Sequence, residues 1–202
     1  MAAETVSPGD DEAAMRELRH QARATPPLSE GEEDRLVEQS AGGDRESQSR
    51  LVAAKLGMVI RLADARADKG LPVSDLVQEG SLGLVEAQRS FKEGGGTDFA
   101  RFAEQKVGEQ MDAAIAAEAA AVREAEQLVT AASDYERTEI LLRRTLQRPP
   151  TEAEIAEKLE WSVDRTRYVA NVVADARRRH DEELLAFIDP DAIDFEGTVD
   201  GE

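Results

Sequence analysis

Two carboxylates and an amide stand close together in the stretch "LPVSDLVQEGSLGL", residues 71–84: Asp75, Gln78 and Glu79. Spacings of three and four residues put them on one face of a helix. Carboxylates so placed accept short, directional hydrogen bonds from guanidinium groups, which is the chemistry of recognition rather than of catalysis. No nucleophile–base pair is evident elsewhere. The chain has no Cys, and His20 and His180 are its only histidines, so neither a thiolate site nor a histidine metal cluster is expected. "EGGGTD", residues 93–98, is glycine-rich but lacks the strand, lysine and spacing of a phosphate-binding loop. It reads as a flexible break. The expectation is a protein that is not an enzyme and carries no cofactor or metal.

The wider composition narrows the partner. The 202 residues carry 43 acids against 25 bases, a net charge of −18. Phosphate backbones repel such a chain unless its bases cluster, whereas basic protein surfaces attract it. With 41% hydrophobic residues a core is possible for one or two small domains, built with only 4% aromatics. Alanine, leucine, valine, glutamate and arginine dominate and favour helices. The absence of cysteine, of an apolar run near eighteen residues and of a signal-peptide pattern leads to the expectation of a soluble, cytoplasmic protein away from membranes.

Punctuation in the sequence sets the elements that must hold the acidic face. Residues 1–27 mix small and charged residues around three prolines and are expected to be disordered, with room for a short helix over Glu12–Ala22. Ser29 and Glu32 have the spacing of a capping box, and Asp44 is an N-cap for a helix with Leu51, Leu56, Val59, Ile60 and Ala63 on one side. Gly70 and Pro72 end that helix, and Ser74 can cap the next, over Asp75–Phe91. A further helix begins near Asp98 and runs through an alanine-rich stretch. Pro149 and Pro150 stop a helix. Thr151 with Glu154 and then Ser162 start the last two, in the outline of a helix-turn-helix unit. Trp161 lies in the turn between them and is expected to pack between those helices. From Asp181 the chain has nine acids and no base, read as an extended, mobile tail. No strand pattern appears, so the fold class is all-α, with two helical modules joined near residues 119–124.

These residues resemble a known family. "GLPVSDLVQEGSLGLVEAQRSF" is similar to the core-binding helix of bacterial sigma-70-type factors, where the pattern is roughly G-L-x-x-x-D-L-I-Q-E-G-N-x-G-L-x-x-A-x-x-x-F. Gly70, Leu71, Asp75, Leu76, Gln78, Glu79, Gly80, Gly83, Leu84, Ala87 and Phe91 match it, and Ser81 departs from the usual asparagine. The resemblance covers roughly residues 28–190. "QRPPTEAEIAEKL" is similar to the family's next module, and "LLAFIDPD" to the acidic linker after it. The resemblance implies a disordered segment at 1–27, a region 1.2/2-like core-binding domain at 28–118, a small three-helix region 3-like domain at 119–180, and a linker-like tail at 181–202. The family's C-terminal promoter-reading module is expected to be lacking. It also implies a partner, an arginine-rich coiled coil on the clamp of the largest subunit of RNA polymerase core. Asp75, Gln78, Glu79 and Ser81 would face it, with Leu76, Leu82 and Leu84 packing alongside.

The next stretch departs from the family. Sigma factors melt promoter DNA with aromatics that stack on unpaired bases and with basic residues that neutralise phosphates. On those positions this chain keeps Phe99 and Phe102. The tryptophan pair falls on Gln105 and Lys106, a basic position on Asp98, a reading arginine and glutamine on Gly108 and Glu109, and a threonine and arginine on Asp112 and Ala113. In the second module Arg123 remains, but Gln127 and Thr130 replace a histidine and a glutamate. From Asp98 to Glu136 there are nine acids and three bases, so the DNA-facing side is reversed in charge. Phe99 and Phe102, without tryptophan neighbours, are read as core residues. The resemblance with these losses implies a sigma-like regulator that binds polymerase core, is impaired in melting and reading promoters, and binds DNA weakly if at all. Two alternatives stay open. One is a divergent true sigma factor working with a second subunit. The other is a sigma mimic that sequesters an anti-sigma factor.

Overall fold

The computed structural model describes residues 8–29, 31–91 and 98–187. Among them every regular element is an α-helix: α1 Pro8–Ala24, α2 Glu32–Ala41, α3 Arg45–Asp64, α4 Val73–Ser90, α5 Phe99–Leu146, α6 Glu152–Leu159 and α7 Val163–Phe187. The chain divides into two compact units, between Val122 and Arg123.

In the first unit the apolar stripes of α1 to α4 and the start of α5 close on one core. Leu51, Val59, Leu76, Leu84, Val107 and Met111 are its largest fully buried apolar members. Five of the six are Leu or Val, and the aromatics sit to one side, where the Phe91 ring meets Phe99 edge-on at 5.3 Å and Phe102 at 5.5 Å. The second unit has a smaller core of Ala131, Tyr135, Ile155, Val169 and Val173, with Trp161 packed against it. Arg165 lies over the Trp161 ring, 4.5 Å from its centre.

Three of the expected caps form. Asp44 accepts from the Ser47 amide at 3.1 Å. Thr151 and Glu154 make a reciprocal capping box, in which the Thr151 amide donates to Glu154 Oε2 at 2.8 Å. Ser162 Oγ likewise accepts from the Arg165 amide at 3.2 Å. The hydrogen bonds from Arg148 first, then from Thr151, hold the Glu154 carboxyl far down, at about 2 against an ordinary 4.5. A carboxyl depressed on folding adds stability above its unfolded value and loses it as pH falls toward the folded value. We therefore expect the melting-temperature gap between wild type and Glu154→Gln to be full at pH 5 and above, and to shrink between about pH 4.5 and 2. A gap constant over that range would contradict this account.

Elsewhere the structure corrects the sequence reading. Much of the segment expected to be disordered is α1, whose Met15 is buried in the core and whose Arg19 pairs with Asp64 at 2.7 Å. Charged residues hid a helix that needs only one anchoring side. Residues 1–7 lie outside the described part. Ser29 is not the cap of α2. That position is Gly31, although Glu32 still reaches back to the Ser29 amide at 2.9 Å. The join expected near 119–124 lies within α5, where the chain divides between Val122 and Arg123, and it is helix rather than loop because no Gly or Pro interrupts the chain between Gly108 and Pro149. Helix α7 continues through Asp181 to Phe187, into the stretch read as an extended tail. The rest of the acidic tail and the break at 92–97 lie outside the described residues.

Ser74 does not cap α4 either. The helix begins two residues earlier, at Val73 behind Pro72, which has no side-chain acceptor. The cap comes from far away in sequence: Asp11 Oδ1 on α1 accepts from the Ser74 amide at 3.0 Å. A carboxylate there satisfies an orphan donor and meets the positive end of the helix. Asp11→Ala should destabilise the first unit by about 1 kcal/mol and speed amide exchange over residues 73–77. Unchanged exchange there would show that the contact is dispensable.

Candidate functional site

Burial along α4 separates its two sides. Ser74, Leu76, Val77, Gly80, Gly83, Leu84, Ala87 and Gln88 are buried, while Gln78, Leu82, Glu86 and Arg89 are exposed, and Asp75 and Glu79 sit at the edge. This corrects the roles of two leucines. Leu76 and Leu84 point into the core at 0% exposure and cannot meet a partner. Leu82, 59% exposed, is the apolar residue that can. Ser81 Oγ is turned inward, donating to the Val77 carbonyl at 2.7 Å.

The glycines explain how α5 comes close enough to complete the site. A Cβ on Gly83 would lie 2.9 Å from the Lys106 carbonyl oxygen and 2.9 Å from Gln110 Cβ. One on Gly80 would lie 2.2 Å from Met111 Cε and 2.8 Å from Val59 Cγ1. With hydrogen at both positions the backbones of α4 and α5 approach directly. Gln110 on α5 then donates from Nε2 to Glu79 Oε2 at 2.9 Å, fixing that carboxylate.

Between the two helices lies a groove of about 440 Å³, lined by Leu71, Asp75, Gln78 and Glu79 from one side and Ala114, Ala117, Glu118 and Ala121 from the other. Three carboxylates rim a floor of small side chains. None of the three has a cationic partner among the described residues, whereas Asp64, Glu104, Glu109 and Asp112 are each ion-paired. An unpaired carboxylate trio over an alanine floor can take a guanidinium together with its apolar stem. Sequence reading passes over Glu118 and the alanines. Their spacing at 114, 117, 118 and 121 was the available signal, but alanine richness reads first as helix propensity.

Most of the positions on α5 that correspond to DNA handling carry intramolecular contacts, several of them at the surface. Asp98 caps α5, accepting from the Arg101 amide at 3.1 Å. Phe99 is buried and Phe102 half-buried. Gln105 Nε2 and Lys106 Nζ both donate to Glu109, at 2.8 and 3.0 Å, and these bonds, Gln105 first, hold the Glu109 carboxyl below its ordinary value. Arg66 makes a two-pronged pair with Asp112, at 2.8 and 3.0 Å, beside Gly108. That pairing holds the Asp112 carboxyl low, and Arg61 is bound to Glu104 at 3.0 Å. Ala113 is exposed. In the second unit, Gln127 and Thr130 line a separate concavity with Arg123, Glu126, Asp134, Trp161 and Arg165. Thr130 Oγ1 donates back to the Glu126 carbonyl at 2.9 Å.

Among the described residues no helix is long and apolar enough to cross a membrane, and no group of His, Cys, Asp and Glu is placed to hold a metal ion. No protein-family model matches the chain. Individual proteins do. RNA polymerase sigma factor SigA of Synechocystis sp. is 34% identical over 127 residues, 63% of this chain and 30% of that protein. SigA of a Bacillus species is 31% identical over 150 residues, 74% of this chain and 40% of that one. The principal sigma factor HrdC of Streptomyces coelicolor is 30% identical over 142 residues, 70% and 42% of the two chains. This chain belongs to the sigma-70 family. It spans less than half the length of these sigma factors. Membership in the sigma-70 family agrees with the all-α architecture and with the retained "DLVQEG" on α4.

Proposed function

We propose that this chain is a sigma-like regulator of transcription. It docks on RNA polymerase core through Asp75, Gln78, Glu79 and Leu82, and does not open promoter DNA by itself. The observation that carries the reading is the groove of unpaired carboxylates, which suits the arginines of a coiled coil on the largest subunit. The arrangement of α5 supports the second half. Lys106, the base at a melting position, is paired with Glu109, Asp112 is taken up by Arg66, and the remaining aromatics are turned into a core cluster. The family of the relatives supports a role in transcription, and the absence of a membrane-crossing helix among the described residues is compatible with action in the cytoplasm.

The test is run-off transcription with core enzyme and a principal sigma factor while this chain is titrated in. Occupation of the shared docking surface predicts that transcripts fall as the chain approaches stoichiometry with the principal sigma factor. Core plus this chain alone should give no specific transcript. Specific transcripts from that mixture, with or without a second subunit, would establish a divergent sigma factor instead. Transcription that responds only when an anti-sigma protein is present would establish a sigma mimic.

A further inference from the structure

In the second unit five of the ten arginines already have an acidic partner among the described residues. Arg143 pairs with Glu139, Arg148 with Glu154, Arg167 with Glu152, Arg177 with Glu136 and Glu139, and Arg178 with Asp175. Arg137 and Arg144 are exposed and make no ion pair among the described residues. They belong to one stripe. Arg137, Ile140, Leu141 and Arg144 follow at intervals of three, one and three residues, which keeps all four on one side of α5. Ile140 and Leu141 between them are 59% and 52% exposed. Two adjacent large aliphatics facing water, with a free guanidinium one turn to each side, are what a segment of mixed apolar and acidic residues would cover. A phosphate backbone fits worse, since it would set the aliphatic pair against charge.

Such a segment is present in the chain itself. Residues 188–202, "IDPDAIDFEGTVDGE", hold six acids, no base, and the apolar residues Ile188, Ile193, Phe195 and Val199. Around Phe195 the order is Ile193, Asp194, Phe195, Glu196, apolar and acidic in turn. The segment also starts within reach. Helix α7 is held against α5 where Arg177 meets Glu136 and Glu139, one turn from Ile140, and it ends at Phe187. Ten helical residues from Arg177 to Phe187 rise about 15 Å. Fifteen residues of extended chain span about 50 Å.

We propose that segment 188–202 docks on the Arg137–Ile140–Leu141–Arg144 stripe of its own chain. Asp194 and Glu196 meet the two guanidiniums, and Ile193 and Phe195 cover the aliphatic pair. The contact neutralises the free cations of this face and closes it to other acidic partners.

The absence of native cysteine permits a clean test. A nitroxide is attached to the full chain at Thr198→Cys, and the methyl resonances of Ile140 and Leu141 are followed by NMR. Docking predicts loss of most of their intensity, restored on reduction of the label. The loss should weaken when salt is raised from about 0.1 M to 1 M, as the screening length falls from about 10 to 3 Å. It should vanish in Arg137→Glu/Arg144→Glu. Because that variant changes the folded unit, Asp194→Asn/Glu196→Gln gives the same answer from the other side, with the stripe intact. Undiminished Ile140 and Leu141 signals in the wild type overturn the proposal, whether or not an added DNA duplex shifts them. Broadening that disappears when the labelled chain is diluted into unlabelled chains assigns the stripe to a second copy, and overturns it too.

Discussion

Gly83→Ala should cost the first unit about 1–3 kcal/mol, and lower its melting temperature by several degrees, although it adds one methyl group to a helix that alanine ordinarily favours. The methyl has nowhere to go. Its nearest neighbours are Gln110 Cβ and the Lys106 carbonyl oxygen, both at 2.9 Å, and the Val107 Cα at 3.1 Å, and none is the far end of a flexible side chain. Relief requires α5 to slide away from α4, which also breaks the bond from Gln110 to Glu79 and opens the acidic groove. Gly80→Ala is expected to be milder, because its worst clash is with the end of the Met111 side chain, which can swing. Gly57→Ala is the opposite control. It lies in the interior of α3 with nothing within 4 Å of its added Cβ, and should stabilise by about 0.5–1 kcal/mol. Thermal melts of the three variants, followed by circular dichroism, check the order. Equal destabilisation at Gly83 and Gly57 would show that helix–helix contact is not what the glycine serves.

Asp75→Arg/Glu79→Arg should weaken binding to polymerase core by about 2–5 kcal/mol, roughly 30-fold to several thousand-fold in the dissociation constant. The groove is rimmed by Asp75, Glu79 and Glu118 without internal cations, so reversal turns three attractions for a guanidinium into one attraction and two repulsions. The fold itself should be little changed. Neither side chain belongs to the core, and the one hydrogen bond lost is that from Gln110 to Glu79. Gln110→Ala removes the same bond while leaving the charges, and should alter binding no more than about twofold. Titration of core enzyme with fluorescently labelled chain gives all three constants. Loss of binding in Gln110→Ala equal to that in the double reversal would point to groove shape rather than charge.

How far the sequence foretold this site depends on the residue. Asp44, Thr151 with Glu154, and Ser162 were legible because a cap is a local device, complete within four residues. The cap of α4 was not, since its acceptor, Asp11, stands 63 residues away on a helix whose charge disguised it. Asp75, Gln78 and Glu79 were found through their spacing, yet spacing could not show that Leu76 and Leu84 share the helix but not the face. Gly80 and Gly83 were visible as matches to a family pattern without a physical role, because their role is the nearness of α5. Asp112 is a similar case, since its pairing with Arg66 is a tertiary contact 46 residues apart in sequence, whereas the Asp98 cap and the Lys106–Glu109 pair are local and complete within four residues.

The claim that a retained docking helix is joined to a silenced DNA surface is tested most directly by displacement. A fluorescently labelled principal sigma factor is bound to core enzyme, and this chain is added while the anisotropy of the label is followed. Competition for one surface predicts release of the labelled factor by the wild-type chain, and retention when Asp75→Arg/Glu79→Arg is added at the same concentration. A labelled factor that stays bound at saturating wild-type chain, or that both forms release equally, would contradict the account.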